Sequence, residues 1–171
     1  MPITIIGAQV NGKPNFNTIA HVGIMDFSTI SISLAKVHYT NKGIKENKTF
    51  SVNIPKEGLV KETDFAGMVS GETTDKSKVF EAFYGSLKTA PMILECPINM
   101  ECKLIQTIEF PKHEVFLGEI VETFCGDEFL VDGKMDISKV QPILFVMDGT
   151  SYWNLGSKIS NAWKVGKELV K

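Results

Sequence analysis

The sequence predicts a mainly β fold, an antiparallel sheet or barrel with short helices inserted. Alternating apolar residues mark a strand at Ile30–Leu34, and Thr4–Val10 is also predicted to be a strand. Between them we expect a strand over Asn17–Met25, preceded by the loop Lys13–Phe16. Asn11-Gly12 is typical of a two-residue hairpin turn, because both of its positions favour φ > 0. Three consecutive strands with short connections are characteristic of antiparallel β architectures.

The segment Ile30–Ile54 combines strand, polar loop and helix. After the first strand the alternation stops, and we expect Thr40 or Asn41 to cap a short helix over Gly43–Asn47. A second strand then runs over Thr49–Ile54. Polar groups at a helix N-terminus favour anion binding. On spacing alone, a solvated strand face and an ordinary cap explain the same residues.

The remaining elements alternate between helical and extended patterns. We predict a helix over Gly58–Phe65 and a second helix, or half a turn of one, over Val79–Tyr84. Two long strands, Ile98–Ile108 and Lys112–Phe124, are joined by a turn at Pro111-Lys112, and a late strand covers Val140–Phe145.

Composition favours a single domain over residues 1–171, since a chain of 171 residues that is 43% hydrophobic can bury one substantial core. The formal net charge of −2 argues against nucleic-acid binding, which calls for a clustered basic surface. All 18 cationic side chains are lysines. A phosphate would therefore be bound by lysine, hydroxyls or backbone amides, without the two-pronged hydrogen bonding of arginine.

The location that the sequence predicts is the cytoplasm, because it shows neither a secretory leader nor an apolar run long enough to span a membrane. Cys96, Cys102 and Cys125 lack the spacing of a metal or redox motif, so we expect reduced thiols that are mostly buried. A disulfide between Cys96 and Cys102 is possible on spacing but not required. No His, Cys and Asp spacing indicates a metal site.

Five sequence blocks, in this order, resemble one known family. They are NGKPNFNTIA, ISISLAKVHYTNKGIKENKTFSVNIP, DFAGMVSGETTDKSKVF, APMILECPINMECKL and HEVFLGEIVE. They lie between residues 11 and 122 and resemble the flavin reductase-like, FMN-binding split-barrel family, in particular its flavoredoxin-like branch. The match as a whole covers roughly residues 1 to 150. The resemblance implies a six-stranded antiparallel split β-barrel, a homodimer with FMN near the subunit interface, and electron transfer from a reduced nicotinamide or another donor.

The resemblance also implies which residues contact the flavin. The ring would lie against two strand ends, formed by Asn17, Thr18, Ile19 and Ala20 and by Ser33, Leu34, Ala35 and Lys36. The phosphate would be received by Thr40 and Asn41. His113 corresponds to a histidine near the flavin and nicotinamide in related reductases, which makes it the candidate catalytic residue; a histidine bonded to a backbone carbonyl at a hairpin end is the alternative.

The chain also departs from the family pattern. It has Ser28-Thr29 where the family often has two prolines, His21 where an aromatic residue is common, and Ala35 where an arginine is common. The missing arginine removes a charge-assisted hydrogen bond, worth about 1.5–3 kcal/mol, which Lys36 would partly replace.

Two functions follow from the resemblance, and the residues separate them poorly; we predict the first, an NAD(P)H-dependent flavin reductase, with the second as its alternative. In the first, NADH or NADPH reduces FMN, and the electrons pass to a second acceptor, either a small molecule or a protein. In the second, the protein is an FMN-binding electron carrier that a protein partner reduces, without a nicotinamide site. A third reading is a flavin-free binding module with the same barrel.

Overall fold

The computed structural model describes residues 1–169, and its main feature is a curled antiparallel sheet of seven strands. These strands are β1 (Thr4–Val10), β2 (Lys13–Ile19), β3 (Val22–Ile24), β4 (Thr29–Ala35), β5 (Thr49–Ile54), β8 (Ile98–Glu109) and β9 (His113–Cys125). Their order across the sheet is β2-β1-β5-β8-β9-β4-β3. The predicted split β-barrel is confirmed, with seven strands in the main sheet where the resemblance implied six.

Short elements fill the connections. The helices are α1 (Thr40–Asn47), α2 (Val60–Met68) and α3 (Ile137–Val140), and 3-10 turns cover Glu57–Leu59, Lys76–Lys78, Asp127–Phe129 and Val165–Leu169. Three small antiparallel pairs complete the fold: β6 (Ala82–Phe83) with β7 (Met92–Ile93), β10 (Leu130–Val131) with β11 (Lys134–Met135), and β12 (Leu144–Val146) with β13 (Ser151–Trp153).

The core lies on both faces of the sheet. Ile5 and Ile6 are neighbours on β1, are both fully buried, and belong to different hydrophobic clusters because successive strand side chains point to opposite faces. One cluster packs Phe50 and Phe116 against the inner strands. The other joins Phe16 to residues of α2 and of the segment that follows it.

The second strand begins earlier than we predicted. We predicted a loop at Lys13–Phe16 and a strand over Asn17–Met25. In the structure β2 covers Lys13–Ile19, and two residues outside any strand separate it from β3. Asn11 and Gly12 do form the tight turn, with φ of 51° and 75°. Pairing therefore continues directly from Val10 to Lys13. Pro14 is tolerated because β2 is an edge strand.

Other predicted elements also differ in type. Helix α1 starts at Thr40 rather than Gly43, its N-cap residue is Tyr39, and no side chain makes the capping bond, so the predicted Thr40 or Asn41 cap is wrong. Residues 79–84 form no α-helix, because β6 pairs with β7 there. The late strand over Val140–Phe145 is split between the end of α3 and β12. The two long strands and their turn are confirmed within a few residues.

Gly43 provides a test of how α1 packs on β1. A Cβ at this buried position would lie 2.3 Å from the Gln9 carbonyl oxygen and 2.8 Å from Val10 Cγ2. We expect Gly43→Ala to lower the free energy of unfolding by about 1–3 kcal/mol, despite the better helix propensity of alanine. The matched control is Gly58→Ala, where a Cβ meets nothing within 4 Å. Urea unfolding checks both, and equal stability of the two variants would contradict this packing.

Candidate functional site

A cavity of about 450 Å³ opens where strands β2 and β4 end. Its wall is contributed by β2, β4, β9, α2 and the β12–β13 hairpin. The lining residues are Ile3, Thr18, Ile19, Ala20, His21, Ser33, Ala35, His38, Asp64, Gly67, Met68, His113, Phe145, Met147 and Tyr152. Apolar and small side chains predominate, with a few polar groups, which is the usual composition of a cofactor site.

The pairing of β4 with β9 forms one side of this cavity. Ala35 lies opposite His113 in the antiparallel register, and Ser33 lies opposite Val115. Because strand side chains alternate, Ser33 and Ala35 line the cavity while Leu34 between them is fully buried in the core. Lys36 N donates to Lys112 O at 3.0 Å and continues the pairing to the strand end.

A second cavity of about 190 Å³ adjoins the first, and His38, Gly67 and Met68 line both. Its other lining residues are Asn17, Val37, Tyr39, Thr40, Val69, Ser70, Gly71 and Lys76. The smaller cavity is thus lined by a lysine and several hydroxyl and amide side chains, whereas the larger one is mainly apolar. The two cavities therefore meet at His38, Gly67 and Met68, and the smaller one is the polar end of the pair.

Lys76 is the one lysine among the residues that line the smaller, polar cavity. Its side chain is only 3% exposed, and Nζ donates to the Ala66 carbonyl oxygen at 2.7 Å. Among residues 1–169, no carboxylate forms an ion pair with it. Burial lowers the pKa of Lys76 to about 8. A buried ammonium without a carboxylate partner is costly, and an anion in the adjoining cavity would compensate for that cost.

Thr40 is oriented for a similar role. It is buried, and its Oγ1 accepts a hydrogen bond from Asn15 Nδ2 at 2.7 Å, so the hydroxyl proton can be donated elsewhere. Gly71 lies tightly against the same asparagine, because a Cβ at Gly71 would fall 1.8 Å from Asn15 Oδ1. Only glycine lets the backbone approach this closely.

His38 joins the two cavities and is held in one tautomer. Its Nδ1 lies 3.1 Å from Asn17 Nδ2, and since an amide nitrogen only donates, Nδ1 is the acceptor and the ring proton is on Nε2. Burial, together with the positive charges of Lys76 and His113, lowers the pKa of His38. The neutral imidazole is therefore favoured at this position.

The other two histidines form a pair on the opposite side of the larger cavity. The rings of His21 and His113 meet edge to face with centroids 5.9 Å apart. The chain contains three histidines, and all three line this one cavity although they come from separate segments. Backbone bonding fixes His21, whose carbonyl oxygen accepts from Ser33 N at 2.9 Å.

A tyrosine–aspartate contact joins the cavity's other two walls. Tyr152 on β13 donates from its hydroxyl to Asp64 Oδ1 on α2 at 2.8 Å, and both residues line the cavity. Burial and then this carboxylate raise the pKa of Tyr152 to about 12. The contact fastens the C-terminal hairpin to α2. The same hydrogen bond occupies one oxygen of Asp64, which is the one carboxylate among the residues that line the larger cavity.

The structure brings together most of the residues predicted for the site. Asn17, Thr18, Ile19, Ala20, Ser33, Ala35, Thr40 and His113 line the two cavities. Leu34 lies in the core instead. Lys36 lies at the surface with its Nζ 3.1 Å from Glu109 Oε2, outside both cavities.

Asn41 also lies outside the two cavities. Its Nδ2 donates to the Ala35 carbonyl oxygen at 3.1 Å and to Glu114 Oε2 at 2.9 Å, so this amide connects the start of α1 to β4 and β9. Glu114 also forms an ion pair with Lys45. Burial alone would raise the pKa of Glu114, but the hydrogen bonds from Lys45 and Asn41 outweigh it and lower that pKa. The observed role of Asn41 is structural.

Sequence reasoning missed Lys76, His21 and His38 as lining residues. Lys76 belongs to the polar run Asp75–Lys78, which resembles a solvated turn. The one available signal was the absence of arginine, which left lysine as the only cationic side chain for a phosphate but did not say which lysine. His21 was visible as a departure from the family pattern, and that departure falls on the cavity wall.

The three cysteines are free thiols away from the two cavities. Burial raises the pKa of Cys102 to about 12 and that of Cys96 further, so the thiolate nucleophile is suppressed. Within residues 1–169 no cluster of His, Cys, Asp and Glu could hold a metal ion. That part of the chain also has no helix of the length and hydrophobicity needed to cross a bilayer.

Comparison with known proteins agrees with this geometry. The chain is 46% identical to a flavoredoxin from Methanosarcina acetivorans, with a TM-score of 0.97 over 99% of this chain and 92% of that one. It is 33% identical to a flavoredoxin of Desulfovibrio vulgaris, with a TM-score of 0.91 over 96% and 92%. A protein of Archaeoglobus fulgidus is 35% identical over 74% of this chain and 73% of its own length.

A family model described as the flavin reductase like domain matches residues 1–140, which include most of the residues that line both cavities. The chain belongs to the flavin reductase-like family.

Proposed function

We propose that the chain binds FMN, with the isoalloxazine ring in the larger cavity and the phosphate in the smaller one, and passes electrons through it. The observation that carries the proposal is Lys76, a buried ammonium without a carboxylate partner, which lines the same space as Thr40. A phosphate supplies the missing anion, and the Thr40 hydroxyl supplies a second donor. We propose all of residues 1–171 as one flavin-binding domain.

The cavity walls also fit the ring and the ribityl chain of FMN. The flat ring needs apolar contact surface, which Ile19, Ala35 and Met68 provide. Gly67 leaves room beside Thr18, because a Cβ there would lie 3.3 Å from Thr18 Cβ. Polar groups at the junction, His38 and Asn17, suit the hydroxyls of the ribityl chain. Thr40, rather than Lys36 or Asn41, is therefore the phosphate ligand we retain from the sequence prediction, and Lys76 joins it.

FMN, when bound, supplies the redox chemistry. The residues that line the larger cavity would position the ring, exclude water from one side of it and provide proton-carrying groups beside it. His113 is half-buried at the start of β9, next to His21, and is the candidate for proton delivery. The electron acceptor, a small molecule or a protein, and a cytoplasmic location stay predictions.

Two electron sources are compatible with the site. A reduced nicotinamide, NADH or NADPH, would make the protein a flavin reductase. A reduced protein partner would make it an electron carrier, and the high similarity to two flavoredoxins favours this second candidate. Lys76 is the one buried cation among the residues that line the two cavities, and it is already assigned to the FMN phosphate. Among residues 1–169, no second buried cation lines these cavities to bind the phosphates of a nicotinamide nucleotide.

Anaerobic mixing with each nicotinamide separates these two functions. If the protein is a reductase, a slight excess of NADH or NADPH bleaches the 450 nm flavin band within seconds. If it is a carrier, both nicotinamides leave the band unchanged for minutes, while chemical reduction by dithionite still bleaches it. We expect the carrier result. Rapid bleaching by either nicotinamide would contradict it.

Replacement of Lys76 tests the FMN site itself. We expect Lys76→Met to weaken FMN about 10- to 150-fold, because a charge-assisted hydrogen bond is worth about 1.5–3 kcal/mol. Riboflavin, which lacks the phosphate, should bind as before. The stability of the ligand-free protein should stay within about 1 kcal/mol or rise, since the substitution removes a buried charge. Quenching of flavin fluorescence and urea unfolding measure these quantities.

Lys36→Met is the matched control, because it removes a lysine that is exposed and paired with Glu109. It should leave FMN affinity within about twofold. For the wild type, FMN affinity should fall as pH rises above about 8, where free Lys76 loses its proton while the phosphate is already dianionic. Lys76→Met should abolish this dependence. Equal losses of FMN and riboflavin in Lys76→Met would show that the lysine supports the fold instead.

We also propose a homodimer. The segment 154–169 is exposed throughout, and Ile159 and Trp163 on it are 100% and 92% exposed. Two apolar side chains in water on one short segment indicate a partner surface, and the resemblance implies a second copy. Light scattering should give twice 18.9 kDa. Trp163→Ser should shift the mass towards the monomer at micromolar concentration, whereas Lys164→Ser should not. A monomeric wild type would refute the proposal.

A further inference from the structure

The two histidines that face each other at the cavity wall differ in their access to solvent. His21 is exposed, whereas His113 is half-buried. His21 lines the flavin cavity on one side and, on the other, a surface depression of about 320 Å³ formed by residues that include Met1, Pro2 and Val115. Its ring therefore lies between bulk water and the proposed ring site.

We propose that His21 is a positioning and proton-supplying residue, which passes protons from solvent to His113, and that His113 delivers them to the bound flavin ring. The proposal rests on the proposed function. The rings of these two described side chains meet edge to face with centroids 5.9 Å apart and form no direct hydrogen bond, so a water molecule beside the contact would link a ring nitrogen of each. Imidazole suits the task because one ring nitrogen can accept a proton while the other donates one.

The surrounding charges support this direction of transfer. His38 lines the same cavity, but burial lowers its pKa and its Nδ1 accepts from Asn17, so it is a poor proton carrier. Asp64 is bonded to Tyr152, whose pKa is raised to about 12. The terminal ammonium of Met1 donates to the Phe145 carbonyl oxygen at 2.9 Å. Among these neighbours, the His21–His113 pair is the one suited to carry protons.

The need for such a pair depends on the electron donor. Full reduction of FMN takes up two electrons and two protons. A hydride donor brings both electrons and one hydrogen together, so solvent supplies only one proton. A donor of electrons alone brings no hydrogen, so solvent must supply both protons. A ring bound in the larger cavity would receive these protons through residues of the cavity wall, to which His113 and His21 belong.

The test compares two reductants on FMN-loaded protein. Reduced methyl viologen donates single electrons without hydrogen, and 1-benzyl-1,4-dihydronicotinamide donates hydride without needing a nucleotide site. We expect His21→Gln to slow reduction by the viologen about 100-fold, the lower range for general acid catalysis, and to slow hydride reduction less than about threefold. The viologen rate of the wild type should also depend on pH, and this dependence should be flattened in His21→Gln.

His38→Gln is the matched control, because it removes an imidazole from the same cavity but not from the pair; it should change both rates by the same factor. His21→Ala provides a second variant with space for a free imidazole, and added imidazole should restore its viologen rate. Equal slowing by both reductants, no slowing, or no rescue would overturn the relay. Failure of the wild type to quench FMN fluorescence would instead refute the proposed function and, with it, the relay.

Discussion

The antiparallel register between β4 and β9 is the constraint on which the proposed site depends. It places His113 opposite Ala35 and sends Ser33 and Ala35 towards the cavity while Ile32 and Leu34 enter the core. A slip of one residue would exchange these two sets, exposing two large aliphatic side chains and burying a hydroxyl. The burial of Ile32 and Leu34 in the hydrophobic core therefore also fixes which side chains form the wall of the cavity. Folding alone requires this packing, whether or not a ligand binds.

The polar end of the site depends on a different balance. Lys76 lies under α2, bonded to a carbonyl of that helix, at a position where the ammonium loses most of its hydration. Such a group opposes folding in the absence of an anion, which is consistent with its pKa being lowered to about 8. The dehydrated charge that phosphate binding needs therefore lowers the stability of the ligand-free protein. Lys36, which is exposed and paired with Glu109, carries no such cost.

Alternation and turn chemistry predicted the sheet because they act over a few residues. Asn11-Gly12, the β4 pattern and the long β8–β9 hairpin are all of this kind. The errors arose where distant contacts decide. Lys13–Phe16 became strand because β1 pairs with it, and Asn41 lies within α1, whose N-cap is Tyr39, with its amide nitrogen bonded to Glu114, 73 positions later. The burial of Lys76 depends on how α2 folds across the sheet, which no short pattern encodes.

The histidines show how a departure from a family pattern acquires meaning once it is located in space. An aromatic residue at position 21 would offer a surface to the flavin but no proton. His21 keeps a ring there, in edge-to-face contact with His113, and adds exchangeable nitrogens on the solvent side. A hydride donor would gain little from this exchange, because it carries its own hydrogen. A partner that delivers electrons alone would gain most, so the proposed relay and the proposed carrier function are consistent with each other.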